Sequence, residues 1–100
     1  MLTTRAQLAE RLDDFMATLL HGAPGAAVVV GHSLFVQAWM RRFGSSGWEA
    51  QQPQLVDALC NRKLANAACV GVRLHYTPYR AEAVGAQMLF GSSFAGGPLA

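Results

Sequence analysis

The residues that most constrain this chain are Ala26-Ala27-Val28-Val29-Val30, followed by Gly31-His32-Ser33. Five apolar residues stand in a row, and three of them are β-branched. Branching at Cβ costs rotamer freedom in a helix and packs well on a pleated backbone, so residues 26–30 read as a strand. The run does not alternate between apolar and polar. That predicts a strand covered on both faces, as in a small parallel or mixed sheet flanked by helices, and hence an α/β fold. Gly31 ends the run, and a helix follows from His32 or Ser33 to about Phe43. A strand, a glycine-containing turn and a helix put His32 and Ser33 at the strand's carboxyl end. Open α/β sheets bind their ligands at that edge.

The flanking segments fit the same architecture. Leu8, Leu12, Phe15, Met16 and Leu19 recur at three- and four-residue steps, which predicts an amphipathic helix over residues 4–20. Thr4 and Gln7 suit a capping box, Gly22 a C-cap, and Pro24 blocks continuation. Gly44-Ser45-Ser46-Gly47 reads as a flexible loop. Pro53 suits the first turn of a helix reaching about Asn61, with Leu55, Val56 and Leu59 inward. Lys63-Leu64-Ala65-Asn66 reads as a turn in which Asn66 tolerates left-handed angles. Residues 67–76 read as a second strand with Ala68, Val70, Val72 and Leu74 on one face and Cys69, Gly71, Arg73 and His75 on the other. Thr77-Pro78 ends it. Residues 80–86 are ambiguous, and residues 87–90 read as a short third strand or an extended arm. The domain is expected to span residues 1–90. Residues 91–100 hold three glycines, two serines and a proline and read as a flexible tail.

Composition sets the limits. One hundred residues make one small domain. Charged residues are 14 % and hydrophobic residues 52 %, against about 25 % charged in an ordinary soluble domain. Such a chain has more to bury than it can cover. A homo-oligomer or a missing N-terminal half would supply the cover; a small alanine-rich domain is the plainer alternative. A net charge of +2 with scattered basic residues argues against nucleic acid. No apolar run reaches the roughly 20 residues of a membrane span. Glu10, Asp13 and Asp14 interrupt any signal-peptide pattern, so the cytoplasm is the expected location. Cys60 and Cys69 match no metal spacing and read as buried thiols in a reducing compartment. No metal and no cofactor are expected.

Two chemistries compete for Gly31-His32-Ser33-Leu34-Phe35. One is the G-x-S-x-G nucleophile elbow of an α/β-hydrolase-type esterase using Ser33. Phe35 stands where that turn needs its second glycine. Asp57 and His75 follow in the order of a triad, but on a helix and a strand rather than on loops. The other makes His32 the working group. The following helix directs its first N–H groups and its positive dipole end at the turn, which favours an anion. A histidine there can bond a phosphate oxygen, and phosphoryl transfer depends mainly on positioning and charge stabilisation. A lone histidine after a strand is also a common structural residue. His21 and His75 read simply as helix-end and strand-end residues.

The stretch Val28-Val29-Val30-Gly31-His32-Ser33-Leu34-Phe35 resembles the second-histidine motif of the histidine phosphatase, or phosphoglycerate mutase-like, superfamily. The helix carrying Arg11, Phe15 and Leu19 is similar to the helix that precedes that motif. Lys63-Leu64-Ala65-Asn66-Ala67, leading into Val70-Gly71-Val72-Arg73-Leu74, is similar to the turn and strand that follow it. The likeness covers about residues 5–76. It implies the second half of a three-layer sandwich. It also implies a mechanism in which the histidine of an Arg-His-Gly motif attacks phosphorus and an acid protonates the leaving oxygen. His32 would then be the catalytic second histidine that helps to hold the transferred group. The backbone N–H of Ser33 would point into the phosphate pocket, with Gly31 and Asn66 in supporting turns. The implied ligand is phosphate or a phosphorylated small molecule in a completed pocket. The chain contains no Arg-His-Gly, so by itself it is expected to be inactive. The second expectation is a non-catalytic chain that self-associates or pairs with a separate half, because an uncovered valine edge is a pairing site.

Overall fold

The computed structural model describes residues 4–22 and 25–97. Its elements run α1 (Arg5–Gly22), α2 (Ser33–Phe43), α3 (Ser46–Gln51), α4 (Pro53–Asn61), β1 (Cys69–Thr77) and β2 (Arg80–Leu89). They fall into two units, residues 1–31 and 32–100.

In the first unit, α1 opens with the expected capping box. The Thr4 N–H donates to Gln7 Oε1 at 2.9 Å and the Gln7 N–H donates to Thr4 Oγ1 at 3.1 Å. Two first-turn amides that the helix itself cannot satisfy are thereby paired. The helix runs through Gly22, with His21 in its last turn. Pro24 lies outside the described residues.

Residues 26–30 form no strand, which corrects the central expectation of the sequence. Val28 is 96 % exposed, Val30 94 % and Val29 50 %. A strand exists through the ladder it makes with a neighbour, and among the described residues no ladder includes this run. β-Branching is a preference for a pleated, covered surface and cannot replace one.

In the second unit, α2 ends at Gly44, whose N–H donates to the Met40 carbonyl at 2.9 Å. The segment expected to be a flexible loop is largely a helix start. Ser45 is the N-cap of α3, its hydroxyl accepting the Trp48 N–H at 3.1 Å. Pro53 opens α4, where its missing N–H costs no helical bond. Leu55, Val56 and Leu59 are buried as the periodicity predicts, joined by Ala58. Trp39, Met40, Trp48, Ala83 and Phe94 are buried with them. Full burial of each such large apolar side chain stabilises by about 1.5–3 kcal/mol. Trp48 is 1 % exposed, so its indole N–H needs a partner. Gln52 Oε1 accepts it at 2.7 Å and also accepts the Ala86 N–H at 3.3 Å. One amide thus joins the α3–α4 corner to β2.

The class is α/β, but the sheet is a two-stranded antiparallel hairpin rather than the parallel or mixed sheet expected. Its register runs from Thr77↔Arg80 to Cys69↔Leu89, with an irregularity at Arg73/Leu74. Pro78 and Tyr79 alone join the strands, and so short a connection permits only antiparallel pairing. The sequence hides this turn because it lacks the Asn-Gly or Asp-Gly signature of two-residue hairpins. A single parallel bridge joins Gly44 to Ala83 among the described residues, next to the Ser45 N–H that donates to the Ala83 carbonyl at 3.0 Å.

The expected tail is tied back as far as residue 97. The Cys69 N–H donates to Ser92 Oγ at 2.8 Å. The Ala65 N–H donates to the Ser93 carbonyl at 3.1 Å, and the Ala95 N–H to the Lys63 carbonyl at 2.8 Å. Between these bonds Phe94 is 2 % exposed. Glycine and serine make the segment look unstructured, but one phenylalanine anchors it. Residues 98–100 lie outside the described residues. Cys60 is half-buried and Cys69 exposed, which corrects the reading of both as buried thiols. Among the described residues, no helix is long and apolar enough to cross a membrane.

Candidate functional site

His32 is the N-cap of α2, with extended backbone angles of φ −90° and ψ 151° and no side-chain capping bond. It is exposed. Its carbonyl accepts the Val36 N–H at 3.1 Å, so the helical ladder starts at His32 itself. First-turn amides of a helix lack partners one turn back, and the dipole's positive end lies with them. The imidazole and the opening of α2 therefore share one place, as the sequence predicts, although no strand leads into it.

Ser33, the first residue of α2, uses its hydroxyl across the fold rather than on its own helix. Ser33 Oγ accepts the Leu64 N–H at 3.1 Å and Gln37 Nε2 at 3.4 Å. Gln37 Nε2 also donates to the Arg62 carbonyl at 3.1 Å. Gln37 is 9 % exposed and is the buried polar residue of α2. Two hydrogen bonds thus tie the first two turns of α2 to residues 62–64, and a third joins Gln37 to Ser33 within the helix. The sequence singles out Ser33 but passes over Gln37. Its spacing one turn after Ser33, in the otherwise apolar stretch 34–40, is the signal that could have found it.

The same 62–65 segment is held from its other side. The Arg62 guanidinium carbon lies 4.8 Å from the Phe94 ring centroid, and Arg62 Nη2 donates to the Gly97 carbonyl at 2.9 Å. Leu64 pairs with Phe94 in an isolated antiparallel bridge. The turn expected at Asn66 is present, with the Ala68 N–H donating to the Ala65 carbonyl at 3.1 Å. The left-handed residue is Ala67, at φ 60°, and not Asn66. Asn66 is exposed in this turn. Gly31 is not left-handed, and a Cβ there would meet nothing within 4 Å. The tight-turn role expected of it therefore has no steric basis.

The Ser33 hydroxyl is badly placed to be a nucleophile. Among the described residues, the two groups bonded to its oxygen, the Leu64 N–H and Gln37 Nε2, donate to it, and neither can take its proton. Asp57 Oδ1 accepts Asn61 Nδ2 at 3.0 Å on the exposed side of α4, and His75 is exposed on β1. A groove of about 250 Å³ lies elsewhere, lined by Arg41, Ser45, Glu49, Asp57 and Cys60 among others. Asp57, the acid of the esterase alternative, lines it, whereas Gly31, His32, Ser33, Asn66 and His75 do not. Burial pushes the Cys60 thiol up, while Arg41 draws it back down. Among the described residues no cluster of three His, Cys, Asp or Glu side chains could hold a metal ion.

In comparison with known proteins, no family model, curated protein or solved structure matches the chain.

Proposed function

We propose that this chain is the phosphate-holding part of a histidine phosphatase-like domain, with His32 and the first amides of α2 as its anion site. The observation that supports this most is the coincidence of an exposed imidazole with the positive end of an 11-residue helix. Phosphate oxygens accept hydrogen bonds from both kinds of group, and the dipole favours their charge. In the completed domain, residues 26–30 form a strand covered on both faces, within a parallel or mixed sheet of a three-layer sandwich. The ligand is phosphate or a phosphorylated small molecule. The nucleophile belongs to an Arg-His-Gly motif that this chain does not contain, so this polypeptide alone hydrolyses no phosphomonoester.

The test is an amide- and imidazole-resolved NMR titration with inorganic phosphate, with chloride keeping the ionic strength constant. His32 and the Ser33 and Leu34 amides are expected to shift together and saturably, and His32→Ala is expected to abolish the shift. A titration in which these signals stay still overturns the proposal. Saturable hydrolysis of p-nitrophenyl phosphate that His32→Ala removes overturns the claim of inactivity.

A second reading, a non-catalytic chain that pairs with itself or with a separate half, is favoured by one observation. Val28 and Val30 are each more than nine-tenths exposed, and a run of β-branched residues without a neighbour is a template for pairing. Sedimentation velocity separates the two. A monomer at every concentration counts against pairing between copies.

A further inference from the structure

We propose that the groove at the junction of α2, α3 and α4 binds a small zwitterion, a free amino acid with an aliphatic side chain, at a place separate from His32. The groove holds about 250 Å³. Pockets for drug-sized ligands hold about 300–1,000 Å³, so the occupant is a smaller molecule. The floor is apolar and includes the buried Met40 and Val56. Charges of both signs stand around it: Arg41 near the end of α2, Glu49 on α3 and Asp57 on α4. All three act on the Cys60 thiol, which lines the same groove. Burial raises that thiol's pKa, Arg41 lowers it, and Asp57 and Glu49 raise it. Charges whose fields meet at one sulfur face one volume, and the protonated thiol adds to the apolar lining.

These opposite charges do not neutralise one another directly. Among the described residues, Arg41 forms no ion pair with either carboxylate. Asn61 stands between Arg41 and Asp57 instead. Its Oδ1 accepts Arg41 Nη2 at 3.3 Å, and its Nδ2 donates to Asp57 Oδ1 at 3.0 Å and to the Asp57 carbonyl at 3.1 Å. The amide is a spacer that keeps a cation and an anion apart on one concave surface. A bare cation answers the carboxylates and leaves Arg41 unmatched; a bare anion does the reverse. A zwitterion answers both. Its carboxylate accepts from the Arg41 guanidinium and its ammonium donates to Glu49 and Asp57, as charge-assisted hydrogen bonds. An aliphatic side chain then covers Met40 and Val56, the usual division of a small-molecule site into apolar lining and a few orienting polar groups.

The experiment titrates the full chain with L-leucine. NMR follows the Arg41, Glu49 and Cys60 amides, and mass spectrometry follows iodoacetamide alkylation of Cys60, with the exposed Cys69 as internal reference. Saturable shifts at these amides are expected, with Cys60 alkylation slowed at saturation and Cys69 unaffected. Isoamylamine lacks the carboxylate and isocaproate lacks the ammonium; each is expected to bind about tenfold more weakly, because each leaves a charged group unmatched. Arg41→Gln is expected to weaken leucine about tenfold and to spare isoamylamine, whereas Glu49→Gln weakens both. Arg41 and Glu49 are exposed, so both variants are expected to keep the parent's thermal melt. A parent chain in which leucine neither shifts these amides saturably nor protects Cys60 overturns the proposal. Isoamylamine or isocaproate binding as tightly as leucine also overturns it, since the groove then reads a single charge.

Discussion

Gly44→Ala isolates the tightest junction of the second unit. The backbone at Gly44, φ −65° and ψ 129°, suits any residue, so left-handed strain plays no part. The obstacle is space. A Cβ built there comes 2.8 Å from the Met40 carbonyl oxygen and 3.3 Å from Trp48 Cζ3. The oxygen is main chain and accepts the Gly44 N–H that closes α2. Trp48 is 1 % exposed and held through Gln52, so the ring has little room to retreat. Overpacking of this kind costs about 1–3 kcal/mol. For a domain of this size that lowers Tm by about 10 °C at the middle of the range. Gly47→Ala is the control. A Cβ there meets nothing within 4 Å, and replacing a helical glycine stabilises by about 0.4–1 kcal/mol. Urea unfolding followed by tryptophan fluorescence measures both, with an unchanged slope showing that the denatured state is unaffected. If Gly44→Ala is as stable as the parent, the junction is loose and the packing argument for Trp48 fails.

Other changes have equally definite outcomes. Phe94→Ala removes a side chain that is 2 % exposed beneath Arg62 and is expected to cost about 3–5 kcal/mol; chemical denaturation that shows less than 1 kcal/mol, about the value of a surface change, refutes an anchored C-terminal segment. Ala67→Gly relieves a left-handed alanine. About 1–2 kcal/mol of strain is regained, less about 0.4–1 kcal/mol for the freer unfolded chain, so a small rise in Tm is expected. Burial raises the Cys60 thiol above the ordinary range, so its folded pKa lies above its unfolded one. Its contribution to stability is whole below the unfolded pKa and is lost as pH rises through the folded value. Cys60→Ala is expected to flatten that alkaline limb, and unfolding curves that fall in parallel for both proteins contradict it. Iodoacetamide mass spectrometry is expected to find the exposed Cys69 alkylated before Cys60.

Local chemistry was legible from the amino-acid order. The Thr4–Gln7 capping box, the start of α2 after His32, Pro53 at the head of α4 and its inward Leu55, Val56 and Leu59 all follow from contacts within one or two turns. His32 at a helix opening is of the same kind, since an N-cap is defined by its immediate neighbours. Tertiary contact decided the rest. Residues 26–30 carry a strand's side chains but have no ladder partner among the described residues, and a strand is a property of two segments. The Pro78-Tyr79 reversal depends on which register lets β1 and β2 pair. Phe94 converts a glycine- and serine-rich end into a docked segment because Arg62 and Leu64 lie where it can reach them. Gln37 gains its meaning from Arg62, 25 residues away. A helix can be read from its own periodicity because its hydrogen bonds close within four residues; sheets, docked ends and the buried Gln37 amide depend on where distant backbone groups arrive.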